Sequence, residues 1–139
     1  MSDKIFLDSN ILVYSFDERD VEKKDIAWDV VNSLIASRNG RISTQTLQEF
    51  FNVVTKKLKC NKEYAKKAVE YYSEAFPVHT NTLKDILSAI GISIKTQFSF
   101  YDSLIIAAAK GEECSIVYSE DLNDGQIVDG VKIVNPFKK

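Results

Sequence analysis

Histidine is almost missing from this chain: His79 is the only one among 139 residues. That scarcity excludes a two-histidine ribonuclease site, an HExxH helix and a histidine-rich zinc centre. A Ser-His-Asp arrangement would have to use His79, which sits in a short strand-like stretch with no nucleophile motif nearby. Cysteine is nearly as scarce. Cys60 and Cys114 are far apart and form no CxxC, so a zinc ribbon is excluded. In a reducing compartment they read as small apolar side chains rather than a disulfide. No apolar run approaches the ~20 residues that span a bilayer. The opening Met-Ser-Asp-Lys runs into strand-like sequence without signal-peptide organisation, so a cytoplasmic protein is expected. Bulk positive charge is also lacking, with a net charge of −2 and a pI near 5.4. This counts against holding nucleic acid by overall electrostatics, though not against holding it locally through metals.

What is present is ordinary for a globular protein: 45% hydrophobic and 27% charged residues, enough for one domain with one core. Short apolar runs alternate with longer amphipathic ones, which predicts α/β architecture with a mainly parallel sheet. Residues 4–7, 41–43, 78–80 and 115–119 read as strands. Helices are expected over 11–16, 22–38, 44–58, 62–74, from about 82 to 90, and from Ser99 to Lys110. Asn39-Gly40, Gly91 and Gly111 are the expected helix stops. Asp129-Gly130, between residues 126–128 and 131–134, is a two-residue hairpin signal. Positive charge does gather locally. Six lysines lie between Lys56 and Lys67 against one acid, Glu63, and read either as a solvated helical face or as a track for RNA.

Four acids invite a chemical reading: Asp8, Glu49, Asp102 and Asp121. Each also has a plain explanation. Asp8 can cap a helix. Glu49 follows Thr46, and Asp102 follows Ser99, at capping-box spacing. Asp121 can be a loop acid. Their placement argues for more. Asp8 and Asp121 lie just past predicted strands, at the edge where open α/β sheets bind ligands. Glu49 and Asp102 fall in the predicted first turns of helices. Apolar neighbours such as Leu7, Ile11, Phe50 and Leu104 make such acids costly unless paired or metal-bound, and Asp8 and Asp102 have no Lys or Arg nearby in sequence. Mg²⁺ and Mn²⁺ favour carboxylate oxygen, and a cation keeps clustered acids ionised. Such an ion can activate water and offset charge at a phosphorus centre without histidine.

These residues fall into four ordered segments: Phe6 to Tyr14, Gln48 to Phe51, Phe100 to Ile105, and Tyr118 to Gly125. With the closing Gly130 to Phe137, they make the chain resemble the PIN domain, most closely the VapC-type toxins of VapBC toxin–antitoxin pairs. The resemblance spans nearly the whole chain, residues 1–139. It implies a compact α/β/α fold and metal-dependent endonucleolytic cleavage of RNA. It also implies an acidic site of Asp8, Glu49, Asp102 and Asp121. Asp8, Asp102 and Asp121 would be the metal ligands, and Glu49 would act through water. Asn10 and Ser119 match supporting polar positions. Many members carry Thr-x-Asp-x-Asp where this chain has Ser119-Glu120-Asp121-Leu122-Asn123, so Asp124 is one position late. An antitoxin partner and a homodimer are further implications. Alternatives are a PIN nuclease of RNA processing, an aspartate-dependent phosphatase and an inactive interaction domain. The phosphatase reading meets Asn10 where a second Asp is usual.

Overall fold

The computed structural model describes residues 3–138. Its elements in chain order are β1 (Ile5–Leu7), α1 (Ser9–Phe16), α2 (Val21–Ser37), β2 (Gly40–Ser43), α3 (Thr44–Lys56), α4 (Lys62–Ala75), β3 (Val78–His79), α5 (Leu83–Thr96), α6 (Phe100–Gly111), β4 (Ile116–Tyr118), β5 (Ile127–Val128) and β6 (Val131–Val134). The strands form one sheet in the order β3-β2-β1-β4-β6-β5. All neighbours run parallel except β5, which returns antiparallel along β6 at the edge. The expected α/β fold with a mainly parallel sheet is therefore present.

The central strand shows why both faces must be covered. Phe6 and Leu7 are fully buried but point to opposite faces, as the two-residue period of a strand requires. Phe6 joins a core with α5, α6, β4 and β6. Leu7 joins a second core with α1, α2, α3 and α4. From β1 the chain steps to β2 and β3 on one side, then returns to lay β4 on the other. The order therefore reverses between β1 and β4, and the crevice beyond their carboxyl ends is where such sheets bind ligands.

Local signals explain most boundaries. Asp129 and Gly130 both take positive φ, 48° and 84°, as a type I′ turn between β5 and β6 demands. Ser43 caps α3 through a reciprocal box with Thr46, whose hydroxyl also donates to the Leu7 carbonyl at 3.3 Å, tying α3 to β1. Of the expected glycine stops, Gly91 was wrong, while α2 and α6 end close to the other two but not by a left-handed glycine. The helix after residue 82 does not stop at Gly91 but continues to Thr96, with Gln97 left-handed at its end. A helical glycine costs only ~1 kcal/mol, and the extra turn buries Ile92 against α6. Arg38, not Asn39-Gly40, takes the left-handed conformation that ends α2. Gly40 opens β2 instead, because a Cβ there would lie 2.6 Å from the Phe76 ring. Gly111 is the last residue of α6 rather than a stop beyond it, and a Cβ there would lie 2.8 Å from the ring of His79. No described helix is long and apolar enough to cross a membrane.

Candidate active site

A cavity of about 330 Å³ opens at the carboxyl edge of the sheet, lined by Asp8, Ser9, Gln45, Glu49, Asn52, Val53, Asp102, Ile105 and Asp121. All four acids singled out from the sequence meet there, although they come from four separate segments. Asp8 follows β1 and caps α1. Asp121 lies three residues past the end of β4. Asp102 is in the first turn of α6, where its backbone N–H donates to the Ser99 hydroxyl at 3.1 Å. Glu49 was expected in a first turn with Thr46 as its cap. It lies one turn further in, because Ser43 is the cap and Thr46 closes the box. Its face of α3 is set by helical spacing: Gln45, Glu49, Asn52 and Val53 recur at three or four residues and line the cavity together.

Asp8 is the fixed point. It is only 6% exposed. One oxygen accepts the Ser9 N–H at 2.8 Å, which is the helix cap. The other accepts the Ser119 hydroxyl at 2.8 Å and the Asn10 amide at 3.3 Å. Capping and site geometry are thus one arrangement, and about one of the carboxylate's four acceptor positions stays free. Burial pushes the Asp8 carboxyl up to about 6, against the Ser119 and Ser9 bonds that lower it and with help from the charges of Glu49 and Asp121. A carboxylate so placed is held in orientation but lacks a countercharge.

Asn10 clamps the two strand-end acids together. Its amide NH₂ donates to Asp8 at 3.3 Å and to Asp121 at 3.2 Å, while its oxygen accepts the Glu120 N–H at 3.2 Å. Ser119 works alongside: its oxygen also accepts the backbone N–H groups of Asp121 and Leu122, at 3.2 and 3.4 Å, fixing the loop after β4. Asp124 does not join this group. Its carboxylate accepts the Asn135 N–H at 2.8 Å and faces Lys138 at 3.6 Å, and these hold it below the usual carboxylate range. Glu120 is likewise engaged elsewhere, by the Tyr14 hydroxyl and by Lys23.

Two supporting residues were not anticipated. The Ser9 hydroxyl donates to Glu49 at 3.2 Å. The Gln45 amide donates to Glu49 at 3.3 Å and to the Tyr101 carbonyl at 3.0 Å, bridging α3 and α6. Gln45 stands four residues before Glu49, so a same-face pairing was available in the sequence. The Ser9–Glu49 contact, between segments 40 residues apart, left no local signal.

Among the described residues none of the four acids forms an ion pair, and no Lys, Arg or His lines their cavity. Neither do any three His, Cys, Asp or Glu side chains among the described residues form a ready metal-ligand cluster. The carboxylates line a cavity instead of converging, as expected of like charges that repel. The donor set, all oxygen with no thiol or imidazole, fits a hard divalent cation. His79 stands apart, bonded to Glu112 at 2.7 Å and Asp85 at 2.8 Å.

A mostly parallel sheet with an acid-lined cavity at its carboxyl edge defines an α/β protein built around a carboxylate site. The PIN domain family matches residues 5–124, and the chain belongs to that family. No curated protein matches the sequence. Solved structures share the fold. The VapC20 toxin of Mycobacterium tuberculosis, described as cleaving the sarcin-ricin loop, superposes with a TM-score of 0.66 at 20% identity, over 84% of this chain and 89% of that one. A DNA-bound VapBC structure from Salmonella typhimurium gives 0.69 at 18% identity, over 95% and 97%. A toxin–antitoxin complex from Klebsiella pneumoniae gives 0.68 at 17% identity, over 95% and 97%.

Proposed function

We propose that this chain is a metal-dependent endoribonuclease that cuts RNA phosphodiester bonds at the cavity of Asp8, Glu49, Asp102 and Asp121, and that it is the toxin of a toxin–antitoxin pair. The observation that carries the reading is that four distant segments bring four carboxylates into one cavity and bring no cation with them. Membership of the PIN domain family supports nuclease chemistry. The resemblance in fold to VapC structures over most of both chains supports the toxin reading.

Asp8, Asp102 and Asp121 would hold Mg²⁺ or Mn²⁺, with Glu49 reaching it through water. The ion would supply charge against the phosphate and a more acidic water. The protein's own part is positioning. Asn10 and Ser119 hold Asp8 in one rotamer and draw Asp121 toward it. Ser9 and Gln45 orient the two oxygens of Glu49, so that this carboxylate is aimed to accept a proton from attacking water.

An inhibitory partner would offer Arg or Lys to the four acids, replacing the missing cation. A homodimer has a candidate surface in α5, where Leu83, Leu87, Ile90 and Ile94 form an exposed apolar stripe at helical spacing. We place the protein in the cytoplasm, where its RNA substrate is found. The test is cleavage of RNA by purified protein with Mg²⁺ or Mn²⁺, with EDTA, and in Asp8→Asn. Activity that persists in metal-stripped protein, or in the variant, contradicts the proposal. Expression beside the product of the adjacent gene tests the toxin reading. No complex and no inhibition would leave a free-standing RNA-processing nuclease.

A further inference from the structure

The acid cavity has two flanks of different chemistry. On one, a groove of about 270 Å³ shares Ser9, Val53 and Asp121 with it and carries charge of both signs, Arg19 and Lys57 beside Glu120 and Asp17, which pairs with Arg19 at 3.1 Å. On the other, a shallow cavity of about 310 Å³ is lined by Gln45, Gln48, Glu49, Asn52 and Tyr101. It shares Gln45, Glu49 and Asn52 with the acid cavity, so an occupant of one touches the edge of the other. This second flank has no cation. It has three amide side chains and an aromatic ring.

Tyr101 is out of character with its helix. Residues Ser103 to Ala109 of α6 are all buried, yet Tyr101 is 64% exposed. Its ring packs edge-on against Phe100, with centroids 5.2 Å apart and planes at 75°, and its main-chain carbonyl is held by Gln45. Gln45 itself is buried and lines both cavities. An exposed ring beside amides that both donate and accept suits a flat, uncharged, hydrogen-bonding group. A phosphate would find no positive charge here, and the charge of Glu49 would repel it.

We propose that the Tyr101 cavity is the subsite for one unpaired nucleobase of the RNA, adjacent to the bond that is cut. The base stacks on the Tyr101 ring, and the side-chain amides of Gln48 and Asn52 meet its edge. Stacking tolerates any base, whereas the amides favour some edges over others, so this flank sets sequence preference. This deepens the endoribonuclease reading and rests on it.

The experiment uses the full chain and a short single-stranded RNA that it cuts at one bond. Two further versions of that RNA lack the base on one or the other side of the bond. Tyr101→Ala should lower kcat/KM on the intact RNA about tenfold or more, mainly through KM, and Tyr101→Phe should restore it. On one of the two abasic RNAs the wild type should lose as much, and Tyr101→Ala should lose nothing further. Equal losses from Tyr101→Ala on intact and both abasic RNAs, or no loss at all, overturn the subsite. So does a change of oligomeric state in Tyr101→Ala by sedimentation, which assigns the ring to a protein contact. Binding separates this from failure of the nuclease reading. A fluorescent purine analogue at the same position should be quenched on the wild type with or without cleavage, and not on Tyr101→Ala. Quenching without cleavage keeps the subsite and rejects the nuclease, whereas absence of quenching on the wild type rejects the subsite.

Discussion

Two acid clusters in this molecule handle charge in opposite ways. Around His79 the protein supplies its own cation. The ring bridges Asp85 and Glu112, and the Arg41 guanidinium stands 3.9 Å from Glu112. Burial works against the charged ring, but the two carboxylate bonds outweigh it and raise the His79 pKa above its ordinary value. The cluster pins β3 to α5 and α6, and the chemistry is complete within the chain. Around Asp8 the same kinds of residue are gathered with no cation at all. Hydrogen bonds from Ser9, Ser119 and Asn10 orient the acid but bring no positive charge. The first arrangement is structural. The second has no countercharge among the described residues, and on the proposed reading it takes one from outside.

The sharpest way to break this comparison is by activity. Asp8→Asn, Asp102→Asn and Asp121→Asn should each reduce metal-dependent RNA cleavage by about a hundredfold or more, since each removes a ligand charge at nearly constant shape. His79→Ala should leave cleavage within a few-fold of wild type. Comparable losses in both groups, read in initial rates under one RNA concentration, would erase the distinction.

Stability should show the reverse ranking. His79→Ala leaves Asp85 and Glu112 without their shared partner and opens space beside Gly111, and should cost about 2 kcal/mol, discounted for the part-exposure of Glu112. Metal-free Asp8→Asn should cost less than that, because it relieves repulsion and Asn can still cap α1, although its NH₂ replaces the oxygen that accepts from Ser119 and Asn10. Urea unfolding in EDTA measures both.

A subtler contrast lies in pH. The Asp8 pKa is raised, so its contribution to metal-free stability is present below pH 3.8 and lost as pH rises through about 6. The shift corresponds to about 3 kcal/mol. The His79 pKa is also raised, so its contribution is present below 6.5 and lost as pH rises through the higher folded value. Asp85 is lowered: although burial raises it, the Thr82 N–H and His79 win. Its contribution holds above 3.8 and fades as pH falls through the lower folded value. Mg²⁺ should abolish the loss near pH 6 and leave the His79 loss untouched. A Mg²⁺ effect on both, in melts taken across pH, would mean that the two clusters are not distinct.

Much of this was legible in the sequence wherever local chemistry decides. Asp129-Gly130 reads as a hairpin because only residues tolerant of positive φ form a type I′ turn there. Asp8 and Asp121 read as site residues because strand ends in α/β sheets fall on one edge. Other features were settled by packing. Gly91 looks like a stop, but burying Ile92 against α6 gains more than the glycine costs. Glu49 was placed a turn early because Ser43 competes with Thr46 as the cap and wins. Hydrogen bonds across 111 residues, such as those from Ser119 and Asn10, leave no periodicity to detect. The family resemblance supplied those two residues, but not the Ser9 and Gln45 bonds to Glu49.

The most direct test of the account is thermal melting of the wild type and of Asp8→Asn, in EDTA and across a Mg²⁺ series. The wild type should gain on the order of 5–10 °C once Mg²⁺ exceeds its dissociation constant about a hundredfold. The variant should start close to the metal-free wild type and gain far less. Identical Mg²⁺ responses in the two proteins would contradict the claim that Asp8 and its neighbours are a carboxylate cluster awaiting a cation.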